Sequence, residues 1–447
     1  MVHDDRPHLL LVNPWIHDFA AYDFWAKPLG LFQLAAILRH QGVSFSFVDC
    51  LNRFHPRSKA AAAKGRHGRG PYLKSHIPKP KGLEDVPRNF SRYGIPLEWF
   101  RQDLSRLPRP DMVMVTSLMT YWYPGVQETI QEVRRQFPDT AIVLGGIYAS
   151  LCRQHAIACS GADQVVTGPG EEKLFDLIRT FTGVNLQAKI NLQNLDRYPY
   201  PAFDLQHHIP FVPILTSRGC PYACAYCASR FLNPRSRKRS PDAVIEEILY
   251  WHQAHGVKDF AFYDDALLVN AENHILPILE GLIASRIKVR FHTPNALHVR
   301  EICPRIARRM FLAGFETIRL GVETAVFENR GHLDKKITQE EFMTSIQVLK
   351  NSGFSGKKIG AYILVGLPEQ SISDVEDTIQ AVKSAGASPI MAQYSPIPHT
   401  ALWHQAVASS RYDLASDPIY TNNAIFPCQK EPFSWETLTR LKNAISK

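Results

Sequence analysis

Cys220, Cys224 and Cys227 fall within eight residues of a 447-residue chain that holds 8 cysteines in all. The stretch reads RGCPYACAYCASRFL, Arg218 to Leu232, with Tyr226 directly before the third thiol. Thiolates are soft ligands for zinc and for iron–sulfur clusters, so metal binding is the first chemistry to weigh. A structural zinc takes four protein ligands, often as two C-x2-4-C pairs, and no fourth Cys or His completes such a set nearby. A redox dithiol uses C-x-x-C, which Cys224 and Cys227 fit, but that leaves Cys220 without a role. A [4Fe–4S] cluster held by three thiolates leaves one iron with an open position. The rest of the domain suits this third reading best.

The elements that must position the thiols form a repeating series. Strand FVPILTS begins at Phe211 and runs directly into the cysteines. Helix SPDAVIEEILYWHQAHG (Ser240 to Gly256) opens on a Ser-Pro cap and stops at a glycine. Five further strands follow, DFAFYDD, KVRFHT, TIRLGVE, KKIGAYILVG and PIMAQYSP, with helices expected at 271–285, 303–313, 338–352 and 373–385. Six strand units are fewer than the eight of a closed (β/α) barrel, and the functional rim of such folds lies at the strand C-termini. The cysteines stand at that rim. The tail after Trp403, residues 401–447 in the domain scheme, lacks the repeat and is expected to lie across the barrel mouth or against the other domain.

C-x3-C-x2-C with an aromatic before the last cysteine, in a six-unit (β/α) context, resembles the radical S-adenosylmethionine (radical SAM) superfamily over about residues 211–398. The resemblance implies a partial barrel and a [4Fe–4S] cluster on Cys220, Cys224 and Cys227. It also implies that SAM itself fills the open iron position through its amino and carboxylate groups. One electron then breaks the sulfonium C–S bond, and the resulting 5′-deoxyadenosyl radical abstracts hydrogen from a substrate. Carried over by position, the SAM contacts fall on Tyr226, on Asp264 and Asp265 in FYDDALL, and on Asn295 in TPNALHVR. Arg319 and Glu323 in RLGVET and Gly366 in GAYILVGLPEQ complete the set. The family's GGE triplet is absent. The ordinary alternatives are a helix cap for Asp265, a turn for Asn295 and an Arg319–Glu323 ion pair.

The first 180 residues also alternate strand and helix: LLLVNP, LGLFQLAAILRHQG, SFSFVD, DMVMVTS, GVQETIQEVRRQFP, AIVLGG and ADQVVTGPGEEKLFDLI. This pattern predicts a doubly wound parallel sheet with ligands beyond the strand C-termini. Such a domain ahead of a radical SAM barrel resembles the superfamily's cobalamin (B12)-binding class. TSLM (Thr116 to Met119) and LGGIYAS (Leu144 to Ser150) resemble its two cobalamin loops, with 25 residues between Met119 and Gly145, and TGPGEE matches its last turn. The resemblance implies that Ser117 bonds the nucleotide tail and that Gly145 and Gly146 leave room for it. The D-x-H-x-x-G segment that supplies a histidine to cobalt is absent. His17 stands in the corresponding loop at a different spacing, among Trp15, Phe24 and Trp25. These rings, with Tyr121, Trp122 and Tyr123, either stack on a corrin or fill its place.

The expected scheme is therefore α/β throughout. Residues 1–185 form a Rossmann-like, cobalamin-binding-type domain, 186–210 a linker and 211–400 a six-stranded partial TIM-like barrel. The net charge of +9 is concentrated: nine Lys or Arg and no Asp or Glu lie between Leu51 and Leu83. Residues 53–87 read as a basic flexible insertion, and 93–105 as a covering helix. With only Phe54 and Tyr72 among the charges, the segment does not resemble a nucleic-acid module, which interleaves stacking aromatics. No apolar run reaches 18 residues, so no membrane span is expected, and the N-terminus does not read as a signal peptide. Clustered cysteines in a reducing cytoplasm are metal ligands more often than disulfides. Cys50, Cys152, Cys159, Cys303 and Cys428 are scattered and read mostly as core thiols, and His399 as a residue at the mouth. The expected activity is reductive SAM cleavage with cobalamin-dependent methyl transfer to an unreactive carbon of a small molecule, fed by a donor such as flavodoxin or ferredoxin. A cobalamin-independent hydrogen-abstraction or rearrangement enzyme and a non-catalytic cluster-binding protein are the alternatives.

Overall fold

A computed structural model of the chain describes residues 6–58, 65–327, 333–334, 337–429 and 434–446. The chain divides into two compact units, one running to Pro210 with Ser416–Ile419, the other spanning Phe211–Ala415 and the residues from Tyr420 onward.

In the first unit β1 (His8–Asn13) and β2 (Ile16–Asp18) precede α1 (Leu29–Gln41), β3 (Ser44–Asp49), β4 (Lys74–His76), β5 (Ser91–Tyr93) and α2 (Leu97–Leu104). Then follow β6 (Met112–Val115), α3 (Tyr123–Gln136), β7 (Ala141–Leu144), α4 (Ile147–Leu151), α5 (Arg153–Cys159), β8 (Gln164–Val165) and α6 (Gly170–Thr182). Five strands make a parallel sheet in the order β3-β1-β6-β7-β8. Leu9 and Leu11 of β1 face one core with α1 and α6, while Leu10 and Val12 face the other with α2 and α3. Burial on both faces explains why these strands read as unbroken apolar runs. The order reverses between β1 and β6, which places the crevice for a ligand at Asn13–Trp15 and Thr116–Ser117.

Two expectations fail here. The basic segment is not a loose insertion where it is described. β4, β5 and β2 form an antiparallel sheet, and Tyr72, Leu83, Val86 and Phe90 are buried. Arg53 is buried as well. Its guanidinium pairs with Asp23 at 3.1 Å and donates to the carbonyls of Gly68 (2.7 Å), Arg69 (3.1 Å) and Pro71 (3.2 Å). Charge counted as solvating in the sequence thus holds the segment down. Residues 59–64 of that segment lie outside the described residues. The expected linker also packs on the first unit: Ala202 joins its core, the Phe203 ring packs tilted against Phe32 with centroids 5.1 Å apart, and Gln33 donates to the Pro199 carbonyl at 2.9 Å.

In the second unit β9 (Val212–Ile214) leads to β10 (Ser217–Arg218), α7 (Ser229–Leu232), β11 (Arg237–Lys238), α8 (Pro241–His255), β12 (Asp259–Phe262) and α9 (Ile275–Ala284). β13 (Arg290–His292), α10 (Pro304–Ala313), β14 (Phe315–Glu323), α11 (Gln339–Asn351), β15 (Ile359–Val365), α12 (Ile372–Ser384) and β16 (Ser388–Gln393) follow, then α13 (Trp403–Ser409) and α14 (Trp435–Ser446). The six main strands pair in parallel and in chain order, with β9 and β16 as the edges, so the sheet is an open six-stranded barrel segment. Ser240 caps α8 by accepting the Ala243 N–H, with Pro241 in the first turn and Gly256 left-handed at its end. The tail lies on the barrel mouth: Leu402, Ala406, Leu414 and Cys428 share a buried cluster with Ala225, Leu364 and Tyr394.

Candidate active site

The cysteine loop leaves β9 through Thr216 and Ser217, and both are tied to the end of β12. Asp264 accepts from the Thr216 amide (3.1 Å), the Thr216 hydroxyl (2.7 Å) and the Ser217 hydroxyl (2.6 Å). With its proton committed to Asp264, the Thr216 hydroxyl accepts from His274 Nε2 at 2.8 Å, which sets the Nε2–H tautomer. Burial lowers His274 to about 4, so the ring is neutral. Gly219 then turns the chain at φ +88°, where a Cβ would sit 3.1 Å from the Asn233 carbonyl. The loop is clamped at Ala225, whose amide donates to Leu333 O (2.8 Å) and whose carbonyl accepts from Leu402 N (2.9 Å). Tyr222 donates to Glu301 at 2.7 Å and packs its ring 4.4 Å from His298.

All three thiols lie on the loop between β10 and α7. Cys227 is exposed, its sulfur accepting the Ser229 N–H at 3.4 Å. Burial pushes the Cys220 thiol up to about 11, so metal binding must displace its proton.

Of the seven residues carried over as SAM contacts, Tyr226 lies in the cysteine loop and five fall at or just beyond strand ends, whereas Arg319, expected at the end of its strand, stands mid-way along β14 opposite Gly360. Tyr226 donates to Glu323 at 2.9 Å and approaches Asp334 at 3.4 Å. Burial, with Glu323 next, holds its phenol well above the ordinary range, so it remains a donor. Glu323 is buried, ends β14 at φ +63° and sits where the β14–β15 register shifts. Such left-handed strain in a non-glycine residue persists only where the surroundings enforce it. Asp264 is buried and turned onto the loop entry, as described above. Asp265 is half-buried, its carboxyl raised by burial and drawn back by the Ser229 hydroxyl. Asn295 donates to the Tyr263 carbonyl at 2.7 Å. Arg319 lies across Gly360 and donates to the Ile318 carbonyl at 2.9 Å. Gly366, at φ +89°, lets Phe426 of the tail approach: a Cβ would stand 2.9 Å from its ring. Its amide donates to Gln370 at 2.8 Å. His399 stacks on Phe231. Thr216, His274, Phe426 and the Leu333 and Leu402 backbones were not anticipated. No spacing rule links residues so far apart.

In the first unit the crevice at the strand ends is lined by glycine and exposed apolar groups. Gly146, at φ +102°, brings its backbone against Ser117, where a Cβ would stand 2.2 Å from the Ser117 carbonyl oxygen. Gly145 and Gly168 face open space, a Cβ on Gly145 meeting only the Val166 carbonyl at 4.0 Å. Met119 and Ile147, just beyond β6 and β7, are exposed. Ser117, expected to bond a ligand, is buried. Its hydroxyl donates to the Gly145 carbonyl at 2.7 Å and accepts from Ala149 N at 3.4 Å, so it builds the cradle. His17 is buried in β2 with Nε2 bonded to Glu128 at 2.8 Å, and so is committed to that carboxylate. Trp15, Trp25 and Tyr121 are core residues, whereas Phe24 is 60% exposed and leans tilted against Tyr22, centroids 4.6 Å apart.

The profile of the Radical SAM superfamily matches residues 214–382, and that of the B12 binding domain matches residues 94–178. The chain carries a radical SAM domain and a B12-binding domain. An uncharacterized methyltransferase of Pyrococcus horikoshii is 28% identical over 67% of this chain and 70% of its own length. The anaerobic magnesium-protoporphyrin IX monomethyl ester cyclase of Rubrivivax gelatinosus is 24% identical over 66% of this chain and 58% of its own. Among solved structures, the radical S-adenosylmethionine methyltransferase TsrM from Kitasatospora setae, with cobalamin and a [4Fe–4S] cluster bound, superposes with a TM-score of 0.67 at 16% identity. It covers 91% of this chain and 76% of TsrM. The cobalamin-dependent radical enzyme OxsB superposes with a TM-score of 0.59 at 14% identity, over 93% of this chain and 57% of its own. At these identities the two structures speak for the fold of both domains. Among the described residues no helix is long and apolar enough to cross a membrane.

Proposed function

We propose that this protein is a radical SAM enzyme that cleaves SAM reductively and performs cobalamin-dependent methyl transfer to an unreactive carbon of a small-molecule substrate. The observation that carries the reading is the three-thiol loop, clamped at Ala225 on the C-terminal rim of the six-stranded sheet. Cys220, Cys224 and Cys227 would hold the [4Fe–4S] cluster. The glycine-lined crevice around Gly145, Gly146 and Gly168 fits a bulky ligand, with Ser117 shaping it from within. Bound there, the cluster with SAM supplies one-electron chemistry and cobalamin supplies a methyl carrier.

The chain's own residues orient and shield. Asp264 and His274 fix the loop entry, and the tail residues Leu402 and Phe426 cover the mouth against water. Tyr226 holds Glu323 at the end of β14, where its carboxylate suits the SAM amino group. Asp265, Asn295 and Gly366 stand just beyond neighbouring strands and complete the binding rim, with Arg319 further back in β14. A low-potential carrier, flavodoxin or ferredoxin, would deliver the electron. Eight cysteines, three of them clustered as ligands, suit a reducing compartment, the cytoplasm.

Anaerobic reconstitution tests this. The chain should bind about four irons, consume SAM under reductant and retain a corrinoid seen by visible absorption. A Cys224→Ala variant that still consumed SAM at the wild-type rate would overturn the cluster-dependent radical SAM reading. Iron and SAM turnover with no corrinoid retained would overturn methyl transfer and leave a hydrogen-abstraction enzyme.

A further inference from the structure

The stretch from Arg218 to Ser240 holds six Arg or Lys residues and no Asp or Glu. Cluster ligation explains its cysteines but not its charge. Arg239 turns inward onto Glu247 and the Ala243 carbonyl. Arg230, Arg235 and Lys238 stay exposed. Between the two arginines, Phe231 is 46% exposed although it is a large aromatic. Its ring lies flat on that of His399, with centroids 4.2 Å apart and planes 2° from parallel. His399 is itself held at φ +67° and exposed. The result is a flat, exposed aromatic pair whose chain neighbours Arg230 and Arg235 are exposed cations. It adjoins Cys227, the exposed thiol of the three. Arg230 is three residues beyond Cys227, so their Cα atoms are within about 11 Å.

We propose that Arg230, Phe231, Arg235 and His399 form the docking surface for a small acidic electron-carrier protein. This rests on the reading that the three cysteines hold a [4Fe–4S] cluster. One electron leaves the carrier's flavin or iron–sulfur centre and one enters the cluster, taking it from the 2+ to the 1+ state, with no bond or proton exchanged. Transient electron-transfer contacts are small. Charge complementarity, more than buried area, steers them. Aromatic and arginine side chains concentrate at the centres of protein interfaces. The positive charge of the arginines selects an acidic partner. A single-stranded nucleic acid would call for a run of stacking rings along a groove, and this surface offers a single stacked pair.

The test uses the full chain and an acidic flavodoxin in its oxidised form, titrated by NMR or calorimetry at two salt concentrations, so that binding is read apart from turnover. The Arg230→Glu/Arg235→Glu double variant should weaken binding roughly tenfold or more and flatten its salt dependence. Cluster reduction by dithionite should be unchanged, while reduction by the flavodoxin slows. Unchanged flavodoxin affinity in the double variant would overturn the proposal. So would a single-stranded RNA oligonucleotide that binds through these arginines where flavodoxin does not. A wild-type chain that binds no iron yet binds flavodoxin through Arg230 and Arg235 would overturn the cluster reading and keep the surface.

Discussion

Tyr226→Phe removes one oxygen atom from the centre of the candidate SAM site. The hydroxyl donates to Glu323 at 2.9 Å and approaches Asp334 at 3.4 Å, and both carboxylates are buried. Depriving a buried charged acceptor of its donor costs about 1.5–3 kcal/mol. The ring stays, so packing in the Ala225–Leu402 cluster is kept. Glu323 has somewhere to go: its φ of +63° is a conformation the surroundings impose, and release would return about 1–3 kcal/mol of strain. The loss should therefore appear in SAM affinity more than in folding. At 1.4 kcal/mol per decade, SAM binding should weaken by roughly 10- to 150-fold, with iron content unchanged because all three thiols remain. Calorimetric titration of SAM into the anaerobically reconstituted variant measures this, with denaturant unfolding in parallel. If the dissociation constant stays within about twofold and the unfolding free energy within about 0.5 kcal/mol, the Tyr226–Glu323 bond positions nothing and the argument fails. Lost iron would assign the hydroxyl to the loop instead.

Two other perturbations separate the domains. Gly146→Ala places a Cβ 2.2 Å from the Ser117 carbonyl at a φ of +102°. It should abolish corrinoid retention while iron content stays at the wild-type level, and full corrinoid uptake by the variant would refute the cradle. For His274, burial sets the folded pKa at about 4, below the unfolded value of 6.5. Its stabilising contribution is thus whole above pH 6.5 and is lost as pH falls towards 4, at about 1.4 kcal/mol per pH unit. Denaturant unfolding between pH 7 and 4.5 should show a His274→Gln variant with a slope shallower by about one proton, and equal slopes would refute the assignment.

Local patterns carried much of the architecture. Ser240-Pro241 and Gly256 bound α8 as read, and the alternation from Phe211 onward became six parallel strands, because both signals are written within a few residues. The three thiols were legible for the same reason. What escaped depends on distant partners. Arg53 looks like surface charge until Asp23 and three backbone carbonyls close on it, and its segment then reads as structure. Ser117 sits in the expected motif, yet its hydroxyl turns to Gly145 because β6 and β7 are neighbours, a fact of topology. Asp264 likewise faces Thr216 and Ser217, because β9 and β12 pair. Motif position located these residues on the rim, and only the packing decided which way each side chain faces.

The clamp on Ala225 has a consequence for how the protein is made. When Cys227 leaves the ribosome all three ligands exist, but Leu402, which holds the Ala225 carbonyl, lies 175 residues further on. At about 5–20 residues per second that is a wait of roughly 9–35 s. For that interval the thiols ride on an unfastened loop, open to stray metal and oxidant. The clamped loop is then completed late in the life of the chain, and a ribosome stalled within the barrel leaves a thiol-bearing fragment without its Leu402 clamp.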